Sequence, residues 1–240
     1  MTRLTAIAAA LLLAGCASTN PQDPYEPYNR AMYTVNDKLD RAVVKPVAEG
    51  YRKVTPSPVR TAVGNFFDNL RDVYSFASNT LRAEPEKSLN DLMRVVMNTT
   101  FGLGGLIDIA TPAGLKNNKD SLGDTFASWG WQQSNYLVLP FFGPSTVRDG
   151  SGLAIGLAAP SPQQLIYSNT REAVALWSLY GVSTRERLLG LEEVVDEVAL
   201  DPYIFTRDAF MQMRAKQLGV TLPKQDDDDV DIDELVPNPQ

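Results

Sequence analysis

The sequence predicts an all-α protein. Apolar residues recur at three- and four-residue intervals over several long stretches, most of those stretches open on a helix-start signal, and alternation of period two is scarce. No repeat of fixed period runs through the chain.

The elements follow in order. Within residues 28–43, Met32, Val35, Leu39 and Val43 lie at helical spacing, and Pro46 is expected to break or kink that helix. Ser57 is expected as an N-cap with Pro58 in the first helical position. Val59, Val63, Phe66, Phe67, Leu70, Val73, Tyr74, Ala77 and Leu81 then form one long apolar stripe. Glu84-Pro85 opens a further helix with Leu89, Leu92, Met93, Val96 and Met97 on one face, and Gly102 can close it. Residues 102–156 are dense in glycine and proline. A long irregular stretch of this kind is uncommon in a compact domain and often functional; the alternative is a set of short buried helices joined by tight turns. Residues 136–139 are too short a run to predict a strand. Thr170 and Glu172 precede Val174, Leu176, Trp177, Leu179 and Tyr180, with Gly181 after them. Ser183-Thr184-Arg185-Glu186 reads as a capping box before Leu188, Leu189, Leu191, Val194, Val195 and Val198. Asp201-Pro202 starts a last helix through Phe205, Phe210 and Met213, ended by Gly219.

The N-terminus reads differently. Arg3, an apolar run over residues 6–14 and small residues before a cut site make a secretory signal peptide, too short to span a bilayer permanently. Leu13-Ala14-Gly15-Cys16 resembles the bacterial lipobox. That resemblance implies cleavage before Cys16, a thioether-linked diacylglycerol on its sulfur and an acyl chain on its new amino group. A cysteine carrying three chains is held in a membrane almost permanently, where one chain holds only marginally. Ala17 stands where an Asp would imply retention at the inner membrane, so the resemblance points to the periplasmic face of an outer membrane. The expected organisation is a signal peptide over 1–15, a lipidated tether over 16–28, a helical domain over 29–219 and an acidic, disordered tail over 220–240.

Composition narrows the chemistry. A single cysteine allows no intramolecular disulfide. The absence of histidine removes Ser-His-Asp and Cys-His catalysis and the commonest zinc ligand, leaving a Ser-Lys pair or paired carboxylates. No nucleophile elbow, H-E-x-x-H helix or phosphate-binding P-loop occurs. The net charge of −7 comes from Asp226, Asp227, Asp228, Asp229, Asp231, Asp233 and Glu234, a run without the glycine that an EF-hand loop needs. The rest of the chain is balanced, with no basic excess for a nucleic acid. Glu192, Glu193, Asp196 and Glu197, and likewise Asp68, Arg71 and Asp72, read as solvated helix faces. Asp108 and the Arg148-Asp149 pair lie in apolar, glycine-rich surroundings, where a charge must be paired or wet. Lining a water-filled passage and capping a turn remain equal readings for them.

Asp23-Pro24, Glu26, Asn29-Arg30, Met32-Tyr33, Asn36 and Lys45-Pro46-Val47-Ala48 resemble the opening of the MlaA (VacJ) lipoprotein family. The likeness continues through Arg60, Phe66, Asn69-Leu70, Arg94, Asn98, Gly102, Gly104-Gly105, Ile107-Asp108, Leu139-Pro140, Phe142-Gly143-Pro144-Ser145, Arg148-Asp149 and Asp201-Pro202-Tyr203. It implies a ring-like arrangement of amphipathic helices around a central amphipathic pore, sunk in the outer membrane and associated with a trimeric porin. It implies removal of misplaced phospholipid from the outer leaflet and its transfer to the soluble periplasmic carrier MlaC, with no enzymatic step. The resemblance places Asn29, Arg30, Met32, Tyr33 and Asn36 beside the pore as a lipid-access segment. Gly104, Gly105, Asp108, Gly143, Arg148 and Asp149 are candidates for shaping the passage. Arg148 meets either a lipid phosphate or the carboxylates of Asp149 and Asp108. No catalytic residue, metal or cofactor is expected beyond the lipids on Cys16. The competing readings are a lipid-anchored cell-wall enzyme and a purely structural outer-membrane lipoprotein. Outside the leader no apolar run reaches 18 residues, so the protein is expected at the depth of one leaflet.

Overall fold

A computed structural model describes residues 23–159, 167–190 and 199–220. Cys16, most of the tether, the acidic run and the carboxylate cluster of Glu192, Glu193, Asp196 and Glu197 lie outside the described residues. Eight α-helices and one β-hairpin make up the described part. Helix α1 (Glu26–Leu39) runs through a five-residue π-helical turn, Asp40–Val44, into α2 (Lys45–Val54). Pro46 therefore kinks this rod without ending it. A proline ring presses on the carbonyl four residues back, and the wide turn opens just there.

Helix α3 (Ser57–Leu81) begins one residue earlier than expected, with Pro56 as N-cap and Ser57 already helical. It packs along α4 (Pro85–Thr100) as a helical hairpin. A looped segment over 101–120 leads to α5 (Leu122–Ser128), where Asp124 accepts hydrogen bonds from the backbone N–H and hydroxyl of Ser121. Strand β1 (Tyr136–Leu139) follows, paired antiparallel with β2 (Gly143–Thr146) in the register Tyr136 to Thr146 and Leu139 to Gly143. The four-residue run at 136–139, too short to predict a strand, thus forms half of the two-stranded sheet found among the described residues. Thr146 caps α6 (Val147–Ala158) by accepting from the Asp149 N–H at 3.0 Å.

Helix α7 (Thr170–Leu188) starts at Asn169, whose side chain accepts from Glu172 N–H. It runs straight through Gly181 and through the expected capping box at Ser183. Tertiary ion pairs override the local signals: Arg185 forks onto Asp40 at 2.8 Å, Arg187 reaches Asp68 at 3.0 Å, and Glu186 takes Arg52 at 2.9 Å and Arg60 at 3.1 Å. Helix α8 (Pro202–Leu218) starts and stops where expected, with Asp201 accepting from the N–H groups of Tyr203 and Ile204 and Gly219 left-handed at φ 66°.

Burial is the unusual feature. Among the described residues, eight hydrophobic residues are buried, against twenty polar or charged ones. Leu89, Leu92, Met93 and Val96 on α4 point outward, while Ser88, Asp91, Arg94 and Asn98 point inward. Asp72, expected on a solvated face, is fully buried on α3 with Asn69, Ser75 and Asn79. No helix among the described residues is long and apolar enough to cross a membrane.

Candidate lipid-handling site

Three polar assemblies hold the helices, and the residues singled out in the sequence fall among them. The first joins α3 to α4. Arg94 donates from Nε to Asp72 at 2.9 Å, and Asp91 accepts from Ser75 and Asn79 at 2.7 Å each. Asn69 donates to Thr99 at 3.0 Å, and Thr80 and Ser88 share a hydrogen bond of 2.7 Å. Buried charges persist only when paired or hydrogen-bonded. Burial pushes the Asp72 carboxyl up to about 6, even against the pull of Arg94.

Polar side chains of α4 also sew down the glycine-rich loop. Asn98 accepts from the N–H groups of Ile109 and Ala110 and donates to Asp108 at 3.2 Å. Arg94 donates to Thr111 and to the Leu115 carbonyl, and Asn90 pairs with both backbone groups of Lys116. Asp108 turns out to close a turn: it accepts from the Thr111 N–H at 3.1 Å and from the Thr111 hydroxyl. Burial raises its pKa, but the bonds from Thr111 and Asn98 and the charge of Arg94 outweigh that and hold it below the ordinary carboxylate range. Gly105, at φ 93°, lets the loop approach α3 so closely that a Cβ there would lie 2.6 Å from Asn69 Nδ2. Gly104 faces open space.

The second assembly surrounds the hairpin. Asn29, fully buried, donates to Asp23 at 2.9 Å and to the Tyr136 carbonyl at 3.1 Å, and accepts from Val138 N–H at 2.8 Å. Two helical turns on, Asn36 donates to the Leu139 carbonyl and accepts from Phe141 N–H, both at 2.9 Å. Asn29 thus pairs with the edge of β1 that β2 leaves open, as a neighbouring strand would, while Asn36 bonds the turn that follows β1. Met32 and Tyr33 pack against Tyr136, Val138 and Tyr203. Arg30 lies over the Tyr203 ring at 4.4 Å and pairs with Glu26 and Asp201. Asp23 also accepts from the Tyr203 hydroxyl. The hairpin tip carries Phe141 and Phe142, 78% and 60% exposed, with Phe141 left-handed at φ 66° beside Gly143 at φ 77°. The space around Gly143 is open.

The third assembly ties α5, α6 and α8. Arg214 donates to Asp149 at 2.8 and 3.0 Å and to Asp124 at 3.0 Å. Arg148 is buried; it donates to Asp149 at 3.1 Å and to the carbonyls of Trp131 and Gln132. Its guanidinium is turned to protein acceptors, the arrangement of the salt-bridge reading. Burial raises Asp149, but Arg214 and then Arg148 more than reverse this and hold it below the ordinary range. The candidates therefore separate into two groups. Asn29, Asn36, Gly143, Arg148 and Asp149 gather around the hairpin and its junction with α6, while Gly104, Gly105 and Asp108 lie in the loop sewn to α4.

Sequence reasoning missed Asp72, Asp91, Asn79, Asp124 and Arg214. The signal was present for the α3–α4 pair: Asn69, Asp72, Ser75 and Asn79 recur at helical spacing, as do Ser88, Asp91, Arg94 and Asn98. Two polar stripes able to bond each other mark an interface when the opposite stripes are apolar.

A family model described as MlaA lipoprotein matches residues 21–217. The intermembrane phospholipid transport system lipoprotein MlaA of Escherichia coli (strain K12) is 34% identical over 220 residues, covering 88% of this chain and 86% of that protein. The protein of the same description from Haemophilus influenzae is 32% identical over 221 residues, covering 88% of each. A solved structure, described as giving the structural basis for maintenance of bacterial outer membrane lipid asymmetry, superposes with a TM-score of 0.67 at 30% identity. It covers 82% of this chain and 98% of that one. With the family model spanning residues 21–217 and the Escherichia coli protein matched over 88% of the chain, the chain belongs to the MlaA lipoprotein family.

Proposed function

We infer that this protein removes misplaced phospholipid from the outer leaflet of the outer membrane and maintains its lipid asymmetry, as part of intermembrane phospholipid transport. The observation that carries this beyond family membership is the inverted burial of the helices. Polar seams hold them together, and Leu89, Leu92, Met93, Val96, Phe101, Leu103, Leu106, Ile107, Trp129, Phe141 and Phe142 lie exposed. An apolar surface of this breadth marks a membrane or partner contact. Polar groups away from water are stable only when bonded internally, and the three assemblies bond most of theirs, leaving Asn69 Oδ1, Asp72 Oδ1 and the Tyr136 hydroxyl without a protein partner.

The finer reading adds a lipid anchor on Cys16, helices arranged as a ring around an amphipathic pore, a trimeric porin beside it and a periplasmic carrier of the MlaC kind as recipient. Moving a lipid between membranes breaks no bond, so the reading requires no catalytic group. The test is outer-leaflet phospholipid in cells lacking the protein. It should rise, and expression of the full-length chain should restore it. Unchanged outer-leaflet lipid on deletion would overturn the function.

A further inference from the structure

Asp72 is fully buried in the α3–α4 seam, yet only half of its carboxylate is used. Its Oδ2 accepts from Arg94 Nε at 2.9 Å, while its Oδ1 has no partner. Three residues back on the same face of α3, Asn69 donates to Thr99 and leaves its own Oδ1 without a partner. Two buried oxygens that can only accept hydrogen bonds thus lie one helical turn apart with no donor between them. A proton on Asp72 supplies the missing donor: it satisfies Oδ1, and Asn69 Oδ1 can accept from it. Arg94 connects this carboxyl to the loop over 101–120. Its Nη1 donates to Thr111 and to the Leu115 carbonyl, and its Nη2 lies 3.8 Å from Asp108.

Burial favours that proton most, Arg94 opposes it, and the charges of Asp91 on α4 and Asp68 on α3 add to burial. Asp68 is itself taken by Arg187 of α7 at 3.0 Å and by Lys119 of the loop at 3.5 Å. We propose that Asp72 is a proton-operated latch for the loop over 101–120. Protonated, it bonds Asn69 and leaves the Arg94 charge to Asp108, which holds the loop shut; ionised, it draws water in and the loop loosens. The sign follows from burial, which pushes the carboxyl up to about 6 in the closed state. Opening hydrates the group and returns it toward its ordinary value, so the open state holds fewer protons and gains as the pH rises. The chain has no histidine, the usual side chain for this range. Phe101, Leu103, Leu106 and Ile107 stand exposed on this loop, so the latch governs an apolar surface rather than a spare turn.

The test is hydrogen exchange of the full-length protein in detergent, read at the amides of Ile109, Ala110 and Thr111, which Asn98 and Asp108 hold. After correction for the intrinsic pH dependence of exchange, their protection should fall about fivefold from about pH 5 to about pH 7, within the limit of about tenfold per pH unit for one proton. Ordinary carboxylates are largely ionised throughout that interval. Asp120, at the end of the loop, is also raised by burial, so Asp120→Asn is the control and should keep the pH dependence. Asp72→Asn stays neutral and its amide can donate to Asn69, so it should hold the loop at the acid level of protection throughout. Infrared difference spectra of the wild type and of Asp120→Asn should both show a buried protonated carboxyl lost over the same interval. Wild-type protection that stays constant, or rises with pH, would overturn the latch. So would a pH dependence that survives in folded Asp72→Asn or vanishes in Asp120→Asn. Absence of the carboxyl band from Asp120→Asn at the acid end would overturn it even where Asp72→Asn fails to fold.

Discussion

Replacing Asn29 by Leu keeps the size of the side chain and removes every bond it makes. The Tyr136 carbonyl, the Val138 N–H and one Asp23 oxygen lose their partner in a site sealed from water. Each orphaned buried group costs about 1–3 kcal/mol. Neighbouring losses do not add fully, so the expected total is about 3–5 kcal/mol, a large share of the stability of an ordinary domain. Asn36→Leu removes an equivalent pair of bonds from a half-buried position, where water can replace them, and should cost about 1 kcal/mol. Equilibrium unfolding of the detergent-solubilised protein, with limited proteolysis of residues 136–146 as a local probe, separates the two. Equal losses for both variants, or a loss under about 1 kcal/mol for Asn29→Leu, would refute the idea that buried amides hold the hairpin edge. Asn29→Asp sharpens the test. It turns both donated bonds into contacts between acceptors, so its defect should be severe at neutral pH and ease as the pH falls.

Further outcomes follow from the other assemblies. Arg214→Leu strands Asp124 and Asp149 and should cost about 3–5 kcal/mol at neutral pH, the penalty for breaking a buried pair. In the wild type the pKa of Asp149 is depressed, so its contribution is fully present above the ordinary carboxylate range and is lost as the pH falls from there through the depressed value; the variant should lose that acid sensitivity, read as melting temperature from neutral pH down to below the ordinary carboxylate range. Cys16→Ser should leave the precursor unprocessed and unacylated by mass spectrometry, and a mature chain beginning at any other residue would defeat the anchor assignment. Photocrosslinkers at positions 104 and 143, where the space is open, should capture phospholipid in intact membranes, whereas one at position 148 should capture neighbouring protein. Lipid adducts at 148 alone would reverse that assignment.

The helices of this protein were legible because their signals are local. Asp201-Pro202, Glu84-Pro85 and Gly219 act within a turn of themselves, and the structure starts and stops helices there. Ser183 and Gly181 carry equally good local signals, yet α7 runs through them, because Asp40, Arg52, Arg60 and Asp68 from distant segments clamp its second half. Strand β1 was illegible for a related reason: its outer edge is completed by Asn29 and the turn after it by Asn36, both about a hundred residues earlier. The direction of each helix face was the deepest miss. Asp72 beside Arg71 looks solvated until Arg94, 22 residues on, is known to meet it. Of the candidate site, the hairpin group was found through resemblance, and the carboxylates that meet Arg214 reveal their partner only in three dimensions.

The wide turn at 40–44 has a consequence for how the outer surface is spelled. Val35, Val43 and Val47 are exposed to almost the same extent, 49%, 51% and 50%, and they are separated by multiples of four residues. In a regular helix twelve residues drift a stripe by about 120°, more than enough to carry Val47 round to another side. One residue absorbed in a π turn cuts that drift to about 20°. The rod can therefore keep a vertical apolar seam from a four-residue spacing that an unbroken helix would wind into a spiral. Loss of one residue from this turn would leave the seam straight, because the turn already stores the surplus.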